Sequence, residues 1–140
     1  MQKTDQILTE LRKEGSRQSV ARERILRLLE SHLSPLSVPE IERRIAVDSR
    51  RFNKTTVYRE LQFLSGKGYL KELRLRNDTA LYEFSGPHHH HLVCIGCGAV
   101  KDIDGETESW HNEERRVERE ENFRILEHSL EFFGLCATCR

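Results

Sequence analysis

An α+β fold in two units is what the sequence predicts, and three observations predict it. Apolar residues recur at helical spacing in four segments before Gly66 and then read as a strand pair up to Phe84. The charge changes sign near Gly86-Pro87: residues 1–84 carry 17 Lys and Arg against 12 Asp and Glu, and residues 85–140 carry 6 against 11. All four cysteines and a run of four histidines lie beyond that point. The expected boundaries are therefore 1–84 for a basic helical unit, 85–87 for a hinge, and 88–140 for a small acidic α/β unit.

Residues 4–14 carry Ile7, Leu8 and Leu11 on one side and are broken by Gly15-Ser16. Ser19 caps a second helix in which Val20, Ile25, Leu28 and Leu29 recur, with Arg22, Arg24 and Arg27 elsewhere. A loop at Ser34-Pro35-Leu36 precedes Ser37-Val38-Pro39-Glu40, a capping box with proline in the first turn, and Ile41 and Ile45 supply the buried stripe. Asn53 caps a fourth helix packed through Val57, Leu61 and Leu64 and ended by Gly66 and Gly68. Tyr69–Arg76 and Thr79–Phe84, joined at Asn77-Asp78, read as a hairpin. Helices followed by a hairpin make a winged helix-turn-helix. In that arrangement the fourth helix reads the major groove of double-stranded DNA, and Asn53, Lys54, Thr55, Thr56, Tyr58 and Arg59 crowd its leading turns. Arg22 is the expected phosphate contact from the second helix.

Past the hinge, a strand at His89–Cys94 runs through a cysteine turn to a second strand at Val100–Ile103. Asp104-Gly105 turns into a helix over Glu106–Glu121, with Trp110 and Val117 as its narrow apolar stripe. Phe123–Phe133 reads as a third strand before Gly134. A sheet this small with one covering helix leaves an edge and an apolar face, which pairing with a second copy would cover.

Bulk composition narrows the function classes. With 36% hydrophobic and 33% charged residues the chain has the make-up of a water-soluble domain. No apolar run reaches membrane length, and the first twenty residues are too polar for a secretory signal, so a cytoplasmic location and no membrane partner are expected. A basic half joined to an acidic, ligand-rich half suggests that one meets a polyanion while the other binds cations.

Six side chains that bind transition metals fall within His88–Cys97, and Cys136 and Cys139 add a second Cys-x-x-Cys pair. In a reducing compartment two such pairs suit one tetrahedral zinc, and the 38 residues between them must fold back to bring them together. Redox use is disfavoured because neither pair opens a βαβ helix. On a strand, successive side chains point to opposite faces. His88 and His90 would then face one way and His89 and His91 the other, so that one segment contributes to two different metal sites.

An ordered set of motifs resembles the ferric uptake regulator (Fur) family over nearly the whole chain. It comprises Arg22-x-x-Ile25-Leu26, Thr56-Val57-Tyr58-Arg59-x-Leu61, Tyr82-Glu83, the His88–His91 run into Cys94-x-x-Cys97-Gly98, His128-Ser129-Leu130, and Gly134-x-Cys136-x-x-Cys139. The resemblance implies a dimeric, metal-activated repressor of inverted-repeat operators. It assigns Cys94, Cys97, Cys136 and Cys139 to structural Zn²⁺. Glu83, His89 and His91 resemble a regulatory site at the hinge, and His88, His90, Glu108 and His128 a further site in the dimerisation domain. Two departures stand out. Pro35 replaces a histidine common in the family before the third helix, leaving His32 as the nearest imidazole. Asp102 resembles a carboxylate ligand of peroxide-sensing members, while Glu83 is of the type in iron sensors. Imidazole and carboxylate donors suit Fe²⁺, Mn²⁺ or Zn²⁺. The expectation is an iron-sensing regulator; zinc-uptake or peroxide-sensing regulators are the relatives to weigh against it, and a zinc-buffering module without DNA binding is the rival of another class. A hydrolytic metalloenzyme is disfavoured, since no pocket-forming motif or nucleophile elbow accompanies the histidines.

Overall fold

The computed structural model describes residues 2–47, 51–75, 78–104 and 108–140. Two compact units divide the chain, Met1–Gly86 and Pro87–Arg140. The first opens with helix α1 (Lys3–Lys13), which buries Ile7 and Leu11. Helix α2 (Val20–Ser31) starts where the Ser19 hydroxyl accepts the Arg22 amide at 3.2 Å. It buries Ile25, Leu26 and Leu29, whereas Val20, expected on the same stripe, opens the first turn ahead of the packed face and stays exposed.

Strand β1 (Leu36–Ser37) occupies part of the expected loop and pairs with the hairpin, Leu36 opposite Tyr82. Two residues are too short to show a period, so nothing in the sequence marks it. Helix α3 (Val38–Ile45) carries the expected capping box: Glu40 Oε2 accepts the Ser37 amide at 2.9 Å, and Ser37 Oγ accepts the Glu40 amide at 3.4 Å. Helix α4 (Lys54–Gly66) begins under Asn53, whose Oδ1 accepts the Thr56 amide at 2.7 Å. It is released at Gly68, whose φ of +79° is a conformation glycine reaches without steric cost. Strands β2 (Leu70–Arg74) and β3 (Ala80–Phe84) pair antiparallel with Leu70 opposite Phe84, and the sheet order is β1-β3-β2. Of the predicted turn, Asp78 has φ +56°, while Arg76 and Asn77 lie outside the described residues.

One core closes this unit. Ile25, Leu26, Ile41, Val57, Leu61, Leu64 and Tyr82 are fully buried, each aliphatic side chain contributing about 1.5–3 kcal/mol by leaving water. The Tyr82 hydroxyl stays satisfied inside, donating to Glu72 Oε2 at 3.0 Å and accepting from Gln62 Nε2 at 3.0 Å.

The second unit is a three-stranded sheet of order β5-β4-β6 with one helix. Strand β4 (His90–Cys94) pairs antiparallel with β5 (Val100–Ile103) and parallel with β6 (Glu131–Gly134). Helix α5 covers Glu108–Glu121; the Gly105 of the expected turn and Glu106 lie outside the described residues. The third strand is shorter than the expected Phe123–Phe133. Asn122 turns the chain at φ +49°, Glu118 Oε1 accepts the Ile125 amide at 2.7 Å, and pairing starts only where the His91 amide donates to the Leu130 carbonyl at 3.2 Å. A five-residue β4 offers residues before Leu130 no strand to pair with. Among the described residues of this unit only His90, His91 and Cys94 are buried. No helix is long and apolar enough to cross a membrane among the described residues.

Candidate metal centres and nucleic-acid interface

The cysteine cluster is built from two turns. Cys94 ends β4, the chain turns so that the Gly98 amide donates to the Cys94 carbonyl at 2.9 Å, and the C-terminal turn places the Cys139 amide 3.0 Å from the Cys136 carbonyl. The four sulfur atoms lie within 4.8 Å of one another. Cys97 Sγ and Cys136 Sγ are 3.9 Å apart, close to the roughly 3.8 Å that tetrahedral Zn–S bonds of about 2.3 Å require. Backbone amides, first that of Cys136 and then that of Cys97, pull the Cys94 thiol down toward thiolate, while the neighbouring sulfurs push Cys139 up. Four sulfurs so close cannot all ionise without a cation among them, and the donor set fits zinc. Gly96 has a packing role that the sequence did not signal. A Cβ there would sit 3.1 Å from both Cβ and Sγ of Cys139, so a larger residue would require the two turns to part by a few tenths of an ångström.

The histidine run separates into two groups. His88 Nε2 lies 2.8 Å from His128 Nε2, and His88, His90 and His128 offer ligand atoms within 4.8 Å of one another. His89 and His91 instead face Asp102 on β5, at 3.8 Å from Oδ2 and 3.6 Å from Oδ1. These separations exceed hydrogen-bond length and leave room for a cation between carboxylate and imidazoles. His89 Nδ1 sits 3.0 Å from the Pro87 carbonyl oxygen, which can only accept. That fixes the ring with its proton on Nδ1 and the Nε2 lone pair toward Asp102. His91 is 5% exposed, so a cation held here is shielded on one side from water.

Glu83 lies in the first unit, buried on β3 opposite Lys71. Two expected ligands are displaced. His32 caps the end of α2 with Nε2 only 2.6 Å from Arg44 Nη1, and a guanidinium at that distance repels a cation. Glu108 is exposed at the first residue of α5 and does not join the His88–His90–His128 group. Glu114, six residues on and about 9 Å along the helix axis, meets His128 instead through Nδ1. Glu114 went unnoticed in the sequence, although it falls between Trp110 and Val117 on the helix's inner stripe.

On the first unit, the inward packing of Val57, Leu61 and Leu64 turns the opposite stripe of α4 to solvent. Lys54, Thr55, Tyr58 and Arg59 are exposed, Tyr58 at 50%; Thr56 is half-buried, and exposed Asn53 caps the helix. Arg22 requires a correction. It is 8% exposed, its Nε donates to Glu60 Oε2 at 2.8 Å, its Nη1 to the Arg17 carbonyl at 2.9 Å, and its guanidinium stacks on Phe63 at 4.2 Å. A buried guanidinium committed to three partners packs against the core and is not presented to phosphate.

Comparison with known proteins agrees with this architecture. The ferric uptake regulator family model matches residues 13–133. A ferric uptake regulation protein of Synechococcus elongatus is 30% identical over 135 residues, covering 94% of this chain and 90% of that one. A peroxide-responsive repressor, PerR, of Staphylococcus aureus is 27% identical over 97% of this chain and 90% of its own length. Among solved structures, the Helicobacter pylori ferric uptake regulator superposes with a TM-score of 0.80 at 24% identity, covering 96% of this chain and 89% of that one. A zinc-bound manganese uptake regulator gives 0.72 at 29% identity, covering 92% and 98%. The mixed helix and strand architecture, the four-cysteine cluster and these matches agree, and the chain belongs to the ferric uptake regulator family of metal-responsive transcription regulators.

Proposed function

We propose that this chain is an iron-responsive repressor that binds inverted-repeat operator DNA as a homodimer when a divalent metal is bound. The observation that carries the reading is the convergence of His89 and His91 on Asp102, immediately after the winged unit. Two imidazoles and a carboxylate form a borderline-to-hard donor set that suits Fe²⁺ or Mn²⁺ as well as Zn²⁺. Glu83, six residues before His89 in the chain, is the proposed further ligand. A cation taking donors from both sides of Gly86-Pro87 restrains the linker and so the placement of α4. Two reading helices of a dimer reach both half-sites only when they are about one turn of DNA apart, or a multiple of that. Shifting such an equilibrium from 1:99 to 99:1 takes about 5.5 kcal/mol of differential affinity, within reach of a few metal–ligand bonds.

Dimerisation is supported by the second unit's surface. Leu92, Phe132, Phe133 and Leu135 stay between 39% and 54% exposed around an apolar groove of about 350 Å³, a face that a second copy would cover. Zn²⁺ on the four cysteines serves the fold of that unit. The test is fluorescence anisotropy of operator DNA against zinc-loaded protein with and without added Fe²⁺ or Mn²⁺ in the absence of oxygen. Metal-dependent, salt-sensitive binding supports the reading; a metal-buffering module would bind no DNA under any loading. Asp102 favours peroxide response as the second reading, in which hydrogen peroxide would release the Fe²⁺-loaded protein from DNA and spare the Mn²⁺-loaded one.

A further inference from the structure

We propose that Glu114 on α5 is a positioning residue that sets the tautomer of His128, and through it ties α5 to the metal site formed by His88, His90 and His128. The proposal rests on that cluster being a metal site, and adds an outer carboxylate to it. The geometry carries it in three steps. Glu114 Oε1 meets His128 Nδ1, and an ionised carboxylate only accepts, so the proton sits on Nδ1. His128 Nε2 then presents its lone pair toward His88 Nε2, 2.8 Å away, where the ring of His90 also stands, its centroid 5.5 Å from that of His128. The other carboxylate oxygen, Oε2, lies 3.5 Å from His111 Nδ1, so a second imidazole stands on the far side of the carboxylate.

A carboxylate behind a ligating imidazole fixes ring orientation and raises the basicity of the ligating nitrogen. Tetrahedral N–metal bonds of about 2.0–2.1 Å place two ligand nitrogens roughly 3.3 Å apart, so His88 and His128 need part by only about half an ångström to admit a cation. Helix α5 has no buried residue among those described. The described contacts of its inner stripe include Glu114 to His128, Glu118 to the Ile125 amide, and Trp110 with its ring 6.5 Å from that of His90. A cation on His128 therefore strengthens one of the described attachments of α5.

The test uses the full-length chain with zinc on its cysteines. In protein without further metal, ¹⁵N shifts of the His128 ring should report the Nδ1–H tautomer, and Glu114→Ala should shift the population toward Nε2–H. Co²⁺ titration should then show 10- to 100-fold weaker binding at this site in Glu114→Ala. Glu114→Gln, whose amide oxygen still accepts from Nδ1–H, should lose only a few-fold. Backbone amides of α5 should gain hydrogen-exchange protection on Co²⁺ binding in the parent and gain less in Glu114→Ala. An unchanged tautomer in Glu114→Ala overturns the proposal. So does equal loss of Co²⁺ affinity in the Gln and Ala variants to the level of His128→Ala, which would make Glu114 a direct ligand. The metal-free tautomer reports on Glu114 alone. Co²⁺ binding that ignores His88→Ala and His128→Ala would refute the metal-site reading separately.

Discussion

Replacing Arg22 separates a structural role from a DNA-contacting one. Its side chain is 10% exposed and pairs with Glu60, whose side chain is 14% exposed, so Arg22→Ala strands a carboxylate on a largely buried side chain and also removes the stack on Phe63 and the bond to the Arg17 carbonyl. Breaking one partner of a buried pair costs about 3–5 kcal/mol; the residual exposure of both groups places this case near the lower end, at about 3 kcal/mol. For a unit of this size that corresponds to a fall in Tm of about 12–24 °C. Far-UV circular dichroism under urea or heat suits the measurement because four of the five helices among the described residues lie in the first unit. Arg22→Met with Glu60→Gln completes a double-mutant cycle whose coupling should exceed about 1 kcal/mol. DNA affinity measured well below Tm should keep its salt slope. A stable Arg22→Ala protein whose slope falls by about one phosphate contact would refute the structural assignment and restore the phosphate role.

Further predictions concern the zinc cluster and the reading helix. Stripping zinc with a strong chelator, or deleting residues 137–140, should unfold the second unit while the first keeps its helical signal, because the second buries only His90, His91 and Cys94 among its described residues; a metal-stripped protein with unchanged β4 amide protection would contradict this. Gly96→Ala should weaken zinc retention several-fold against a competing chelator, since the added methyl meets Cys139 at 3.1 Å; unchanged retention would mean the two turns separate without cost. Tyr58→Phe should lose about 1–3 kcal/mol of operator affinity if the exposed hydroxyl meets a base or phosphate; equal affinity would remove Tyr58 from the interface.

How much of this could be read from sequence depends on the range over which each signal acts. Caps are local, and Ser19, Ser37 and Asn53 open their helices where side-chain chemistry places them. The two Cys-x-x-Cys pairs announce their convergence by donor type. The period of two along an extended chain sorts the histidines toward His128 on one side and Asp102 on the other. Long-range partners were illegible. Arg22 reads as a free cation until Glu60, 38 residues away, is seen beside it. Glu108 and Glu114 are equivalent as carboxylates in the sequence; the helix start and the path of residues 123–130 decide that Glu114 meets His128. The over-long third strand has the same origin, since Phe123 and Leu126 resemble strand residues but find no partner strand and remain 67% and 83% exposed.

Metal at His89, His91 and Asp102 is proposed to control DNA binding, apart from the His88–His90–His128 group. The most direct measurement is metal-dependent operator binding, in protein that retains its cysteine-bound zinc, for two paired substitutions. His89→Ala with His91→Ala should abolish the response to Fe²⁺ or Mn²⁺ and leave the fold and the zinc intact. His88→Ala with His90→Ala should keep a metal response and instead weaken dimer stability or alter the metal concentration required. Equal loss of metal response and of dimerisation in both pairs would contradict the account, because it would mean that the four histidines act as one cluster.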